Sequence, residues 1–157
     1  MQASYFTPLE FGCISDKIYR SSYPAKKTLE FISRLGLRSM ICLNPLDLNN
    51  DLIKFCSSNN VEIFECDIGF NQEPFISMNA DAVRSTVNYA MNPINQPCLV
   101  FCNNGKSRTS CVTGCIRKHL GWSQTSISFE YEKYMGQDRL ALDLQFIESF
   151  KVEPPPS

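Results

Sequence analysis

The sequence has one histidine, one tryptophan and no Cys-x-x-C pair, and these shortages narrow its chemistry. His119 alone cannot build a histidine-rich metal site, and it reads as a cation near a helix C-terminus. The eight cysteines (Cys13, Cys42, Cys56, Cys66, Cys98, Cys102, Cys111 and Cys115) lack zinc-ligand spacing, since Cys111 and Cys115 stand four apart with no second pair. Neither a metal nor another cofactor is expected. No apolar run reaches the ~18 residues of a membrane span, so membrane insertion is not expected. Met1 to Phe11 shows no basic stretch followed by an apolar one, so the expected location is cytoplasmic, with seven of the eight cysteines, all but Cys102, read as reduced. A net charge of -1 excludes nucleic-acid binding driven by bulk charge.

What is present describes an ordinary globular chain, 43% apolar and 20% charged over 157 residues. The length fits one domain, predicted over 1–150, followed by a Pro-rich tail at 151–157 that should be extended and mobile. Charge is unevenly spread. Residues 102–139 hold six basic side chains (Lys106, Arg108, Arg117, Lys118, Lys133, Arg139) against three acidic ones, a net of +3. Such a patch suits a compact anionic ligand or a solvated helix face.

Strand and helix signals alternate. Ile18-Tyr19-Arg20 reads as a strand ending at Ser21-Ser22-Tyr23-Pro24, and Thr28 as the cap of a helix stopped by Gly36. Ser39 to Leu43 is a buried strand, Asn49 or Asn50 caps a second helix, and Val61 to Cys66 forms the next strand. Asp67 to Phe75 is a loop. Asn79 caps a helix that ends at Asn92-Pro93. Cys98 to Phe101 is a continuous apolar strand. Three helices follow, about 108–120, about 124–135 capped by Ser123, and about 139–150 capped by Asp138. The alternation predicts an α/β domain with a mostly parallel central sheet of four to five strands flanked by helices.

The chemistry concentrates after the last strand, in Cys102-Asn103-Asn104-Gly105-Lys106-Ser107-Arg108-Thr109. A cysteine ends the strand, and an arginine opens the next helix six residues on. Ligands of open α/β sheets bind at that edge. A loop over a helix N-terminus gathers backbone N–H groups and the positive end of the dipole, so an anion should sit there. Asn103, Asn104, Gly105, Lys106, Ser107 and Thr109 are the expected binding residues. Gly105 permits the backbone such a loop needs. Arg108 can hold two phosphate oxygens with a fixed charge. The same field favours the thiolate of Cys102, which could attack phosphorus to form a cysteinyl-phosphate. Thr109 could donate a hydrogen bond to the sulfur as it leaves.

This stretch resembles the Cys-x5-Arg signature of protein tyrosine phosphatases. More closely, the chain is similar to the plant and fungal atypical dual-specificity phosphatases, whose members hydrolyse inositol pyrophosphates. The likeness runs through Ile18-Tyr19-Arg20-Ser21 with Pro24, Glu73-Pro74-Phe75, Asn92-Pro93 with Gln96-Pro97, and Cys102 to Thr109. It continues through Gly114 to Lys118, Trp122-Ser123, Glu130-Tyr131, Ala141-Leu142-Asp143 and Gln145 to Glu148. It implies a cysteine-phosphatase-like fold and a metal-independent phosphatase acting on an inositol pyrophosphate, with phosphoprotein or polyphosphate as side substrates. It also places Arg117 and Lys118 at the pocket's border. The chain departs from the family at Phe101, where a His is usual, at Ser107 and Leu140, where basic residues are usual, and at Ser110, where a Gly is common.

The general acid stays open between two carboxylates. Asp67 lies 35 residues before Cys102 and follows a strand, as the acid of tyrosine-phosphatase-like enzymes does. Glu73 instead matches the close family's own loop. A phosphate leaving group, with a second pKa of about 6, needs protonation less than an alkoxide. Two other classes compete with the enzyme. One is a phosphate-binding scaffold of low turnover, working with related phosphatase-like proteins; the other is a rhodanese-type sulfurtransferase, which usually lacks the Arg-Thr continuation.

Overall fold

The computed structural model describes residues 6–44 and 48–152. Pro45 of the predicted Asn44-Pro45 stop, and 153–157 of the predicted tail, lie outside the described residues. Five strands, β1 (Gly12–Ser15), β2 (Ile18–Ser22), β3 (Ser39–Cys42), β4 (Glu62–Glu65) and β5 (Cys98–Cys102), form one sheet in the order β1-β2-β5-β3-β4. All neighbours are parallel except β1 and β2. The expected mostly parallel α/β sheet is therefore present. β1 has no counterpart in the sequence reading. Its four residues carry no period-2 apolar pattern, and pairing with β2 across a short turn creates it.

β5 lies at the centre and all five of its residues are buried, as a continuous apolar run in a two-sided parallel sheet should be. Ser39 on β3 and Ile18 on β2 both register with Cys98. Ser22 registers with Cys102, so the ends of β2 and β5 arrive together.

Two helices, α1 (Leu29–Ser33) and α2 (Asn50–Ser58), cover one face of the sheet. There Ile32, Leu52 and Cys56 pack with Met40, Leu99 and Phe101. The other face carries α3 (Ala80–Met91), α4 (Ser107–His119), α5 (Gln124–Met135) and α6 (Ala141–Ser149). Val83, Val87, Cys111, Cys115, Ile127 and Ile147 build this larger core with Ile41 and Val100. Phe101 meets the Tyr23 ring edge-on at 5.4 Å.

Helix starts follow the expected chemistry where a side chain can reach the first turn. Asn49 accepts from Leu52 N–H, Asn79 from Ala82 N–H and Ser123 from Ser126 N–H. Two expected caps fail. Thr28 ends a short 3-10 turn in helical backbone, and its hydroxyl donates to the Ala25 carbonyl instead. Asp138 sits in a 3-10 turn at 136–138. Arg139 and Leu140 are extended after it, so α6 begins at Ala141 and Asp138 pairs with Lys106 at 2.7 Å.

Gly105 locks the turn after β5. It adopts φ +70°, and a Cβ there would lie 2.6 Å from Ser22 N and 2.8 Å from Ser22 Cα. Those neighbours are strand backbone and cannot yield. Gly105→Ala should therefore destabilise the domain by more than the ~1–2 kcal/mol of a left-handed Ala alone, measured as the urea unfolding free energy. Caps give a milder, position-specific expectation. Asn49→Ala should lose about 1 kcal/mol in the same assay. Asn50→Ala, whose side chain caps nothing, should stay within about 0.5 kcal/mol.

Candidate active site

β5 delivers Cys102 to the carboxyl edge of the sheet, 1% exposed, and α4 starts five residues later at Ser107. Beside the sulfur opens a cavity of about 250 Å3, lined by Phe70, Asn71, Cys102, Asn104, Ser107, Arg108 and Leu140. The structure thus gathers Cys102, Asn104, Ser107 and Arg108 around one space. Gly105 is buried beneath the loop, and Asn103 is exposed while its carbonyl accepts from Tyr23 N–H at 3.2 Å. No side chain caps the N-cap position of α4, Lys106. The first N–H groups of a helix have no partner within it, so this terminus suits an anion. The Asn104 Oδ1 accepts from Lys106 N–H at 3.0 Å and lies 3.8 Å from Cys102 Sγ.

Thr109, fully buried, donates its hydroxyl to Cys102 Sγ at 2.9 Å. That contact stabilises charge on the sulfur more than on a thiol, because a charged acceptor roughly doubles a hydrogen bond's strength. Arg108 uses Nε to reach the Gly69 carbonyl at 3.3 Å and lies 5.2 Å from the centroid of the Phe70 ring. Nη1 and Nη2 have no protein partner among the described residues, so the fork can serve two phosphate oxygens.

The loop before α3 is tied to this site through Asp143. Its carboxylate is fully buried and accepts from Asn71 Nδ2 at 3.0 Å, Ser107 Oγ at 3.0 Å and Tyr131 Oη at 2.6 Å. Asn71 in turn accepts from the Ser77 and Met78 N–H groups. Burial, with the bond to Asp143, holds the Tyr131 phenol well above its ordinary pKa and therefore protonated. The carboxylate is satisfied by three neutral donors rather than a cation. One signal could have marked Asp143: it falls on the same helical face as Phe146 and Ile147, where a carboxylate needs buried partners.

The carboxylates considered as acids stand elsewhere. Asp67 is exposed, absent from the cavity's lining, and accepts from Gly69 N–H at 3.0 Å. It thereby shapes the turn whose carbonyl receives Arg108. Glu73 is exposed on the same loop. Phe70 and Asn71, unnoticed in sequence, reach the cavity because that loop folds over it.

The basic segment does not form one patch. Lys106 pairs with Asp138, and Arg117 pairs with Glu130 at 2.9 Å, lies over the Trp122 ring, and donates to the Cys13 and Ile14 carbonyls. Lys118 donates to the carbonyls of Ile147, Glu148 and Phe150, closing the C-terminus of α6. Arg117 and Lys118 are therefore structural, not pocket-bordering. Both sit in the last turn of α4, a helix length away from the loop. Of the six basic residues, Arg108 lines the cavity.

Burial pushes the thiols up to about 11 at Cys56 and about 12 at Cys98, and raises Cys111 and Cys115 as well. No disulfide joins any of the eight cysteines among the described residues. Among the described residues, no group of three or more His, Cys, Asp or Glu is placed to hold a metal ion, and no helix is long and apolar enough to cross a membrane.

Comparison with known proteins agrees with this geometry. The family model of the tyrosine phosphatase family matches residues 5–155. The chain is 35% identical over 144 residues to the inositol diphosphatase SIW14 of Saccharomyces cerevisiae, covering 91% of this chain and 51% of that protein. It is 38% identical over 145 residues to the inositol diphosphatase DSP5 of Arabidopsis thaliana, covering 92% and 71%. The chain thus spans about half the length of its yeast relative. The crystal structure of the core catalytic domain of the yeast PP-IP phosphatase SIW14 superposes with a TM-score of 0.86 at 33% identity, over 94% of this chain and 89% of that one. With its sheet, its cysteine-headed loop and these matches in agreement, the chain belongs to the tyrosine phosphatase family.

Proposed function

We propose that this protein is a cysteine phosphatase that hydrolyses the phosphoanhydride of inositol pyrophosphates. The observation that carries the reading is Cys102 Sγ at the wall of a cavity shared with Arg108, with Thr109 donating to the sulfur at 2.9 Å. The relatives named inositol diphosphatases support the substrate class, an anionic small molecule.

In this mechanism the terminal phosphoryl group rests on N–H groups of the loop and the first turn of α4 other than that of Lys106, which Asn104 Oδ1 accepts, and Arg108 holds two of its oxygens. The Cys102 thiolate attacks phosphorus, the bond to the bridging oxygen breaks, and the inositol phosphate departs with that oxygen. Water then attacks the cysteinyl-phosphate, releasing inorganic phosphate and regenerating the thiolate. Thr109 stabilises the sulfur as it leaves. The departing group is a phosphate with a second pKa of about 6, so the first step makes little demand on a protein acid. That suits a site whose carboxylate candidates, Asp67 and Glu73, are exposed and outside the cavity's lining.

A second reading, a phosphate-binding scaffold of low turnover, draws on two observations. Leu140 supplies an apolar wall, and Lys106 is engaged by Asp138. Turnover decides between them. Purified protein should release phosphate from an inositol pyrophosphate without added metal, and Cys102→Ser should leave less than a few per cent of that rate while anion binding persists. Substantial activity in the variant would rule out Cys102 as nucleophile.

The leaving-group argument has its own check. Asp67→Asn keeps an oxygen for Gly69 N–H while removing the acid. It should change inositol pyrophosphate hydrolysis less than about threefold and slow an alkyl phosphomonoester more. A general acid used in both reactions would instead lower both by about 10²–10⁴-fold.

A further inference from the structure

Arg20 is the largest fully buried side chain of the domain, 1% exposed, and no carboxylate pairs with it among the described residues. It leaves β2 opposite Val100 and passes behind the loop at 103–106. Nη2 donates to the Gly105 carbonyl at 2.8 Å and to Ser110 Oγ at 3.1 Å, and Nη1 donates to Thr113 Oγ1 at 3.3 Å. The guanidinium lies 3.6 Å from the centroid of the Tyr134 ring. Gly12 makes room for that ring, since a Cβ there would meet Tyr134 Oη at 2.0 Å.

A buried charge without a counter-ion is expensive, and it persists where an anion elsewhere compensates it. Arginine keeps its proton in proteins, so this charge is fixed. Glu130, the nearest carboxylate on α5, is already matched by Arg117. Ser110 provides one of the three acceptors.

We propose that Arg20 is a positioning residue of the phosphate loop, and that Cys102 and the bound phosphoryl group are the anions its buried charge serves. By holding the Gly105 carbonyl behind the loop, it turns the opposite edge of that peptide, the Lys106 N–H, toward the cavity side, where Asn104 Oδ1 accepts it. From behind, the guanidinium also adds positive potential at the Cys102 sulfur. Glu10, Glu130 and Tyr134 face Arg20, and Arg108, Cys111 and Asp143 stand around Cys102 and its loop. This proposal rests on the reading of Cys102 as a nucleophile.

The test is alkylation of Cys102 by iodoacetamide in the full chain, followed by mass spectrometry of its peptide. Arg20→Gln should slow alkylation by about tenfold near pH 6 and by less than about twofold near pH 9, where even an ordinary cysteine is largely ionised. Arg20→Lys, which keeps the charge, should recover most of the loss near pH 6. A purely structural role predicts the same ratio at both pH values and no rescue by Lys, and that result would overturn the proposal. If Arg20→Gln fails to fold, Ser110→Asp replaces it, giving Arg20 a carboxylate partner without removing it. Slower alkylation confined to low pH supports the proposal, and an unchanged profile refutes it. Alkylation does not require turnover, so a failure of the phosphatase reading, seen in Cys102→Ser, is distinguishable from a failure here.

Discussion

The unfilled N-terminus of α4, pressed against the end of β5, is the constraint on which this structure turns. Three other helices satisfy their first N–H groups with Asn49, Asn79 and Ser123. At α4 the N-cap position is a lysine whose side chain turns to Asp138 instead. A helix start without a cap forgoes about 1 kcal/mol, and here the loss coincides with a cradle for an oxyanion. Gly105 makes the geometry achievable, because only a residue without Cβ can lie against Ser21 and Ser22 at that φ.

Around this terminus the domain is braced by polar contacts that would be costly if broken. Asp143 joins three segments distant in sequence, the loop at Asn71, the start of α4 at Ser107 and the middle of α5 at Tyr131. Arg20 braces the loop from the opposite side, tying β2 to Gly105 and to Ser110 and Thr113 of α4. Both charges are buried and hydrogen-bonded, and neither is neutralised by direct ion pairing. Breaking any of these contacts would leave a further buried polar group unpaired, so they specify one arrangement of the loop.

The cysteines illustrate how location assigns chemistry to one residue type. Cys98, Cys111 and Cys115 sit in the core, where desolvation keeps the thiol protonated and inert. Cys102 is almost as buried but lies at a strand end, beside a helix N-terminus, a donor hydroxyl and an arginine that shares its cavity. Composition alone does not separate these residues, whereas position along the strand does.

Much of this was legible in the sequence, because it is written within a few residues. Apolar runs placed β3 and β5, Asn and Ser caps placed α2, α3 and α5, and the spacing of Cys102, Gly105, Arg108 and Thr109 outlined the loop. Tertiary structure decided what depends on contacts across the chain. β1 exists through its pairing with β2. Asp138 became a partner of Lys106, 32 residues away, rather than a helix cap. Arg117 was drawn into an ion pair with Glu130 and Lys118 into carbonyl contacts at the end of α6, and Asp67 was left outside the cavity that Phe70 and Asn71 line. Asp143 and Arg20 found partners 72 and 85 residues distant. Caps and apolar periodicity act over one or two turns of chain, so sequence alone determines them. The destination of a buried charge is set by whichever donors and acceptors the packed layers bring within 3 Å, and only the folded chain decides that.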